Sequence, residues 1–495
     1  MRQALFKRNG FWLALALIFA LISGIGASLV QTSGGSVKVD DLKWETASGR
    51  TLNALLFTPA NATAESPAPG IVVSHGWWNN REMQTPNYVE LARRGYVVMS
   101  IDMYGHGNSD PLPVDEIAVG GTGMYDAVLL LADLPYVDRD AIGVTGHSNG
   151  ARAANFSVPL DDASGDPLIS SILLVDNDPL YVDGDGIYTN VYGSRDVGLI
   201  QAQYDEFFFR SYDENGVQLT APRDYLGTPN AQSFLNFGAD PADLTEEREG
   251  STIYTENIDG TEAVRVIYSL PQTHPWSTTS STAVGHLVDY FEETLPAPAP
   301  LDAGNQLWQL KEFFTALGLV GFGIMLVAIP RALLTPAEIA PLAGRVPKIW
   351  FWAGLAVSVV ISAWSYVLVS QTPEVLGITF NAVPSFVPTG SVFFIGVWAA
   401  INGLAAAIIM IGAYFAFGRK SGMSLRGSGV LPGWKNFFHG IGLALTTVFL
   451  MYAVVFLVDY LFKTDFRLWV IGVKWFTPDK FGYALVVLPL FLIYF

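Results

Sequence analysis

The chain has 495 residues, 51% of them hydrophobic, no cysteine and a formal net charge of −17. Without cysteine there is no disulfide, no thiolate nucleophile and no cysteine-based metal site, and so acidic a chain repels the phosphates of nucleic acid. A mean hydropathy of +0.33 is too apolar for one soluble domain, and the charge is divided: residues 31–305 hold 39 Asp and Glu against 13 Lys and Arg, while the flanking segments are basic.

In chain order, residues 11–30 are the first apolar stretch, preceded by Arg2, Lys7 and Arg8. About 20 apolar residues cross a bilayer. A signal-peptide core is shorter, roughly 7–15 residues, so the stretch reads as an uncleaved anchor, with a signal peptide as the alternative. Residues 31–295 then alternate short apolar runs with amphipathic ones. Strands are predicted at Leu52–Phe57, Gly70–Ser74, Tyr96–Ile101, Ala141–Thr145, Ser170–Val175, Val197–Gln203 and Val264–Leu270. Helices are predicted at Asn87–Arg94, Gly123–Leu134 and Thr279–Glu293. This alternation predicts an α/β fold with a mostly parallel, doubly wound sheet. The stretch 211–262, rich in Gly, Pro and acids, reads as a lid or an irregular insertion.

Pro296-Ala-Pro-Ala-Pro300 opens a semi-rigid linker, 296–305. Beyond it lies an all-α transmembrane region, 306–495, with spans at 306–329, 349–370, 391–418 and 436–462. A last apolar run, 481–495, ends without a charged flank, so the chain is expected to be a fragment of a longer one. Lys and Arg concentrate in loops 330–348 and 419–435, and 371–390 has none. By the positive-inside rule the N-terminus is cytoplasmic and the acidic domain lies outside the cytoplasm. Lys463, Arg467, Lys474 and Lys480 on the outer side run against this, partly offset by Asp465 and Asp479. Asn402, His439 and Asp459 are the polar residues within or near the ends of these spans.

The chemistry concentrates at Gly146-His-Ser148-Asn-Gly150, which ends the predicted strand 141–145 and runs directly into the helix-forming Ala151-Arg-Ala-Ala154. Strand, sharp turn and helix are the context in which a G-x-S-x-G serine becomes a nucleophile. Two further motifs precede it: Ser74-His75-Gly76-Trp77-Trp78 directly after a strand, and Asp102-Met-Tyr104-Gly-His106-Gly-Asn-Ser-Asp110. In this order the three motifs resemble the α/β-hydrolase superfamily over roughly residues 45–295, most closely dienelactone hydrolases and acetyl esterases. Tyr104 stands where that family usually has arginine.

The resemblance implies a serine hydrolase that uses no cofactor. Ser148 would be the nucleophile, and the backbone N–H groups of Trp77 and Asn149 would form the oxyanion hole. It also implies the chain order Ser, acid, His, with histidine on the loop after the last strand. His274 occupies that loop; His286, inside the following helix, is the alternate. His439 lies in a membrane span, His147 adjoins the serine, and His75 and His106 belong to structural motifs. Asp205, at the C-terminal end of strand 197–203, is the favoured acid, with Glu206 as its neighbour. Asp196, at the other end of that strand, is the alternate, followed by Asp176 and Asp178. No metal site is implied; Asp183-Gly-Asp185-Gly reads as an acidic turn. The expected partners are a small ester or acyl substrate and the lipid bilayer. Two other readings stay open: a prolyl-oligopeptidase-like peptidase or acyltransferase with the same triad, and a non-catalytic ligand-binding domain of a transporter or receptor-like protein. Protease added to intact cells should remove the acidic domain, as detected with an epitope placed in it; complete protection would invert the topology.

Overall fold

A computed structural model describes residues 2–112, 122–212, 215–334, 348–371, 390–426 and 431–494. It comprises two compact units: Ile22–Leu317 with Val458–Val473, which carries the sheet, and a helical unit of Met1–Leu21, Gly318–Leu457 and Lys474–Phe495.

In the first unit, β1 (Val37–Glu45), β2 (Thr51–Pro59), β3 (Ala68–Ser74), β4 (Val97–Asp102), β5 (Val137–His147), β6 (Ile169–Val175) and β7 (Asp196–Ala202) precede a small hairpin of β8 (Ser211–Tyr212) and β9 (Gln218–Thr220). β10 (Tyr254–Ile258) and β11 (Thr261–Leu270) follow. The main sheet has the order β1-β2-β4-β3-β5-β6-β7-β11-β10. β4 through β11 run parallel, whereas β1, β2 and β10 pair antiparallel with their neighbours. This is the α/β-hydrolase arrangement. Its helices are α2 (Thr85–Arg93), α3 (Met124–Ala132), α4 (Asn149–Ala163), the short α5 (Pro229–Leu235) and α6 (Ser281–Thr294), with α1 (Arg2–Gln31) leading into β1.

The central strands are β-branched and buried on both sides, which is why they appear in the sequence as unbroken apolar runs. Their alternate residues divide between two cores. Val72, Val144, Ile172 and Leu174 pack with α3 and α4 on one face. Ile71, Val73, Leu173 and Val175 pack with α2 and α6 on the other. The edges differ from expectation. β1, with Asp40, Asp41 and Lys43 in its middle, has no apolar run to announce it and forms by pairing along the whole of β2. Tyr254–Ile258, within the stretch read as lid or insertion, instead extends the sheet beside β11.

Among the described residues, five helices are long and apolar enough to cross a membrane: Asn9–Gln31 of α1, Trp308–Leu333 (α7), Lys348–Ser370 of α8 (Lys348–Gln371), Val392–Ser421, which α9 (Gly390–Ala413) begins, and Trp434–Phe462 (α10). A shorter helix, α11 (Phe481–Tyr494), follows. In the helical unit, Asn402 is satisfied between α8 and α9: its Oδ1 accepts from Ser362 Oγ at 2.6 Å and its Nδ2 donates to Trp398 O at 2.8 Å.

After α10 the chain forms a hairpin of β12 (Phe466–Leu468) and β13 (Ile471–Val473) that belongs to the sheet unit. Its Arg467 is buried, with Nη2 2.8 Å from Asp465 Oδ2 and 2.7 Å from Asn80 Oδ1 on the loop after β3. Removing one partner of a buried ion pair strands the other charge, at about 3–5 kcal/mol. Arg467→Ala should therefore lower the melting temperature of the purified protein markedly. A melting temperature unchanged within error would mean the pair contributes nothing.

Candidate active site

β5 carries the chain out of the core to Ser148, whose backbone sits at φ 58°, ψ −116°. Left-handed backbone is costly for a residue with a Cβ. It is held by Ser148 N–H donating to Val175 O at 2.8 Å and by Asn177 Nδ2 donating to Ser148 O at 3.1 Å. The two glycines are steric requirements: a Cβ on Gly146 would strike the Gly150 backbone, and one on Gly150 would strike the Ser74 carbonyl. α4 starts at Asn149. Among the described residues, the backbone N–H groups of Trp77 and Asn149 donate to no protein acceptor.

The loop bearing Trp77 is braced by two neutral histidines. His75 Nε2 accepts from Met103 N–H at 3.1 Å and Nδ1 meets Gly76 O at 2.7 Å. Burial pushes its pKa down to about 3. His106 Nε2 accepts from Trp78 N–H at 3.2 Å, and burial lowers its pKa as well. Asp102 closes the neighbouring loop: its Oδ1 accepts from Arg81 N–H at 2.8 Å and its Oδ2 from Asn108 N–H at 3.0 Å. Tyr104 joins its hydroxyl to Thr46 and Asp126.

Two residues far apart in sequence meet beside this turn. His274 opens the turn after β11, and its Nδ1 lies 2.7 Å from Asp205 Oδ2. The other carboxylate oxygen of the buried Asp205 accepts from the Phe207 and Phe208 N–H groups at 2.7 and 2.8 Å. The His274 backbone is held as well, with its N–H donating to Glu206 Oε2 at 3.0 Å and its carbonyl 2.9 Å from His147 Nε2. The His147 and His274 rings lie 4.5 Å apart, which places the His274 imidazole against the residue preceding Ser148. Among the described residues no hydrogen bond joins the Ser148 hydroxyl to His274; catalytic contacts of this kind often tighten only when substrate arrives.

The alternates lie elsewhere. Asp196 begins β7, at the end of the sheet opposite Ser148, where its Oδ1 accepts from Val264 N–H at 2.8 Å; burial raises its pKa to about 6. His286 is on α6 with its ring stacked on Tyr268 at 4.2 Å. Asp176 is much closer. It is buried at the end of β6, with Oδ1 accepting from Ala202 N–H at 2.9 Å and Oδ2 3.6 Å from His147 Nε2. Burial raises its pKa. Potential ligand atoms of His147, Asp176 and His274 lie within 4.8 Å of one another, close enough to hold a metal ion. The roles of His147 and Asp176 as braces around the His274 loop are hidden in the sequence, because the ends of β5, β6 and β11 come together only in the folded sheet.

No family model matches the chain, and no curated protein matches it. Among solved structures it is similar to an α/β hydrolase from Penicillium sp. sh18, 12% identical with a TM-score of 0.33, covering 52% of this chain and 99% of that one. A bacterial heroin esterase is 15% identical, with a TM-score of 0.34, covering 53% and 84%. An epoxide hydrolase from an endophytic Streptomyces is 18% identical, with a TM-score of 0.23, covering 29% and 38%.

Asp178, near Asp205, offers a pH test. Burial raises its carboxyl from 3.8 to about 6, with the Asp205 charge adding to the effect and the Phe209 N–H opposing it. The fold therefore disfavours the ionised form. Stability is lost as pH rises from the ordinary carboxylate value to about 6, and the loss is complete above that. Asp178→Asn should be the more stable protein at pH 7, by about 1–3 kcal/mol. Its advantage in thermal melts should shrink as pH falls from 6 to 4. A pH-independent difference would show that Asp178 is not the group titrating.

Proposed function

We propose that this chain is a membrane-bound serine hydrolase that cleaves an ester outside the cytoplasm through an acyl-enzyme, with Ser148, His274 and Asp205 as its triad. The observation that carries the reading is the 2.7 Å contact between Asp205 and the Nδ1 of His274, on a loop packed against the strained turn of Ser148.

An ester carbonyl resists water because hydroxide is scarce at neutral pH and the tetrahedral oxyanion is costly. Asp205 accepts a hydrogen bond from the Nδ1–H of His274, which keeps Nε2 unprotonated and able to take the proton of Ser148 as its oxygen bonds to the carbonyl carbon. The negative charge moves onto the carbonyl oxygen, where the free N–H groups of Trp77 and Asn149 can receive it. As the intermediate collapses, His274 returns the proton to the departing alcohol and the acyl group stays on Ser148. Water enters by the same route in reverse and releases the acid. The left-handed backbone keeps the hydroxyl out of helix α4 and in front of the carbonyl.

Five helices of membrane-spanning length and composition support the membrane assignment. The distribution of Lys and Arg in the short loops supports an extracytoplasmic site.

A fluorophosphonate probe should label the wild-type protein and leave Ser148→Ala unlabelled. Asp205→Asn should retain labelling at a rate lower by about three to four orders of magnitude, as when a triad aspartate elsewhere is replaced. Unlabelled wild-type protein that is otherwise folded would favour a ligand-binding domain without catalysis.

A further inference from the structure

Large apolar side chains exposed on a soluble unit mark contact surfaces when they gather in one place. Residues 37–305 expose ten of them among the described residues, and eight follow the C-terminal ends of β3, β6, β7 and β11. In a parallel sheet these ends form one edge, the edge at which Ser148 sits. Phe207 and Trp276 are 68% and 60% exposed, and the Phe207 ring lies 5.0 Å from that of His274. Tyr204 is tied to the same place by its N–H donating to Gln272 O at 3.0 Å. Farther out, Tyr212 and Leu219 are exposed on the β8–β9 hairpin, and Ile187 on the loop between β6 and β7.

The segment that carries much of this rim is strongly acidic. Residues 205–262 carry 13 Asp and Glu against 3 Lys and Arg. A bulky ligand that covers the rim gains by leaving water, but an anionic one is repelled. The surface therefore fits a long, uncharged chain better than a phosphorylated or carboxylated group.

We propose that the rim is the acyl-chain subsite of this enzyme, and that its substrates are esters of medium or long uncharged acyl groups, not acetyl esters. The inference rests on the serine-hydrolase reading above. The chain of the substrate runs from the carbonyl at Ser148 past Phe207 and Trp276 toward the β8–β9 hairpin. Each methylene it buries contributes about fourfold to binding when desolvation is complete. If that energy is realised in the transition state, it appears in kcat/KM.

The test uses the full-length protein in detergent with p-nitrophenyl acetate, butyrate and octanoate below their solubility limits. The wild type should prefer octanoate to acetate at least about tenfold in kcat/KM. Tyr212→Ser/Leu219→Ser changes two exposed residues remote from the triad. It should lower kcat/KM for octanoate about five- to tenfold and leave acetate within twofold. Equal or falling kcat/KM with chain length, or an octanoate rate unchanged in the double variant, would overturn the subsite. Turnover of neither ester, together with no fluorophosphonate labelling, would instead overturn the hydrolase reading and this inference with it.

Discussion

The structure turns on one strained residue. Ser148 adopts a left-handed backbone between a strand buried in the core and the first turn of a helix. A side chain tolerates that geometry only when its surroundings fix it. Here the β6 carbonyl of Val175, the Asn177 amide and the bare α-carbons of Gly146 and Gly150 do so together. α4 then starts at Asn149, whose N–H has no protein acceptor among the described residues.

A second constraint is that the imidazole must reach this turn from 126 residues away, and be correctly protonated when it arrives. One hydrogen bond to Asp205 would set the tautomer, but it would not place the ring. Placement comes from the main chain: Glu206 holds the His274 N–H and His147 meets its carbonyl. The carboxylate is itself oriented by two backbone N–H groups of its own loop. The His274 main chain and the Asp205 carboxylate are thus each held by neighbouring residues.

Electrostatics separate the inside of the sheet unit from its surface. Several buried charges are paired: Arg467 with Asp465, Arg81 with Asp41 and Glu82, and Arg195 with Asp161. The surface is acidic with little compensation, and this keeps the unit soluble while discouraging anionic ligands at the mouth of the site. The helical unit follows the opposite rule. Its long helices expose apolar side chains, and the polar group around Asn402 is satisfied within α8 and α9.

Local sequence patterns sufficed for the class of fold, the G-x-S-x-G turn at Ser148 and, among the described residues, the five long apolar helices. These depend on local patterns: buried parallel strands are continuous apolar runs, a G-x-S-x-G turn is five consecutive residues between a strand and a helix, and a span is about twenty apolar residues in a row. Tertiary structure decided the rest. β1 is too charged to be recognised alone and exists because β2 offers it a full ladder of hydrogen bonds. β10 lies in a stretch rich in turn formers and is a strand because β11 lies beside it. In one dimension Asp205 is the favoured acid and Asp196 its alternate; the sheet sets them at opposite ends of β7, and only the first meets His274. His147, Asp176 and the apolar rim stayed hidden for the same reason. Their roles depend on distances between strands that the chain order does not contain.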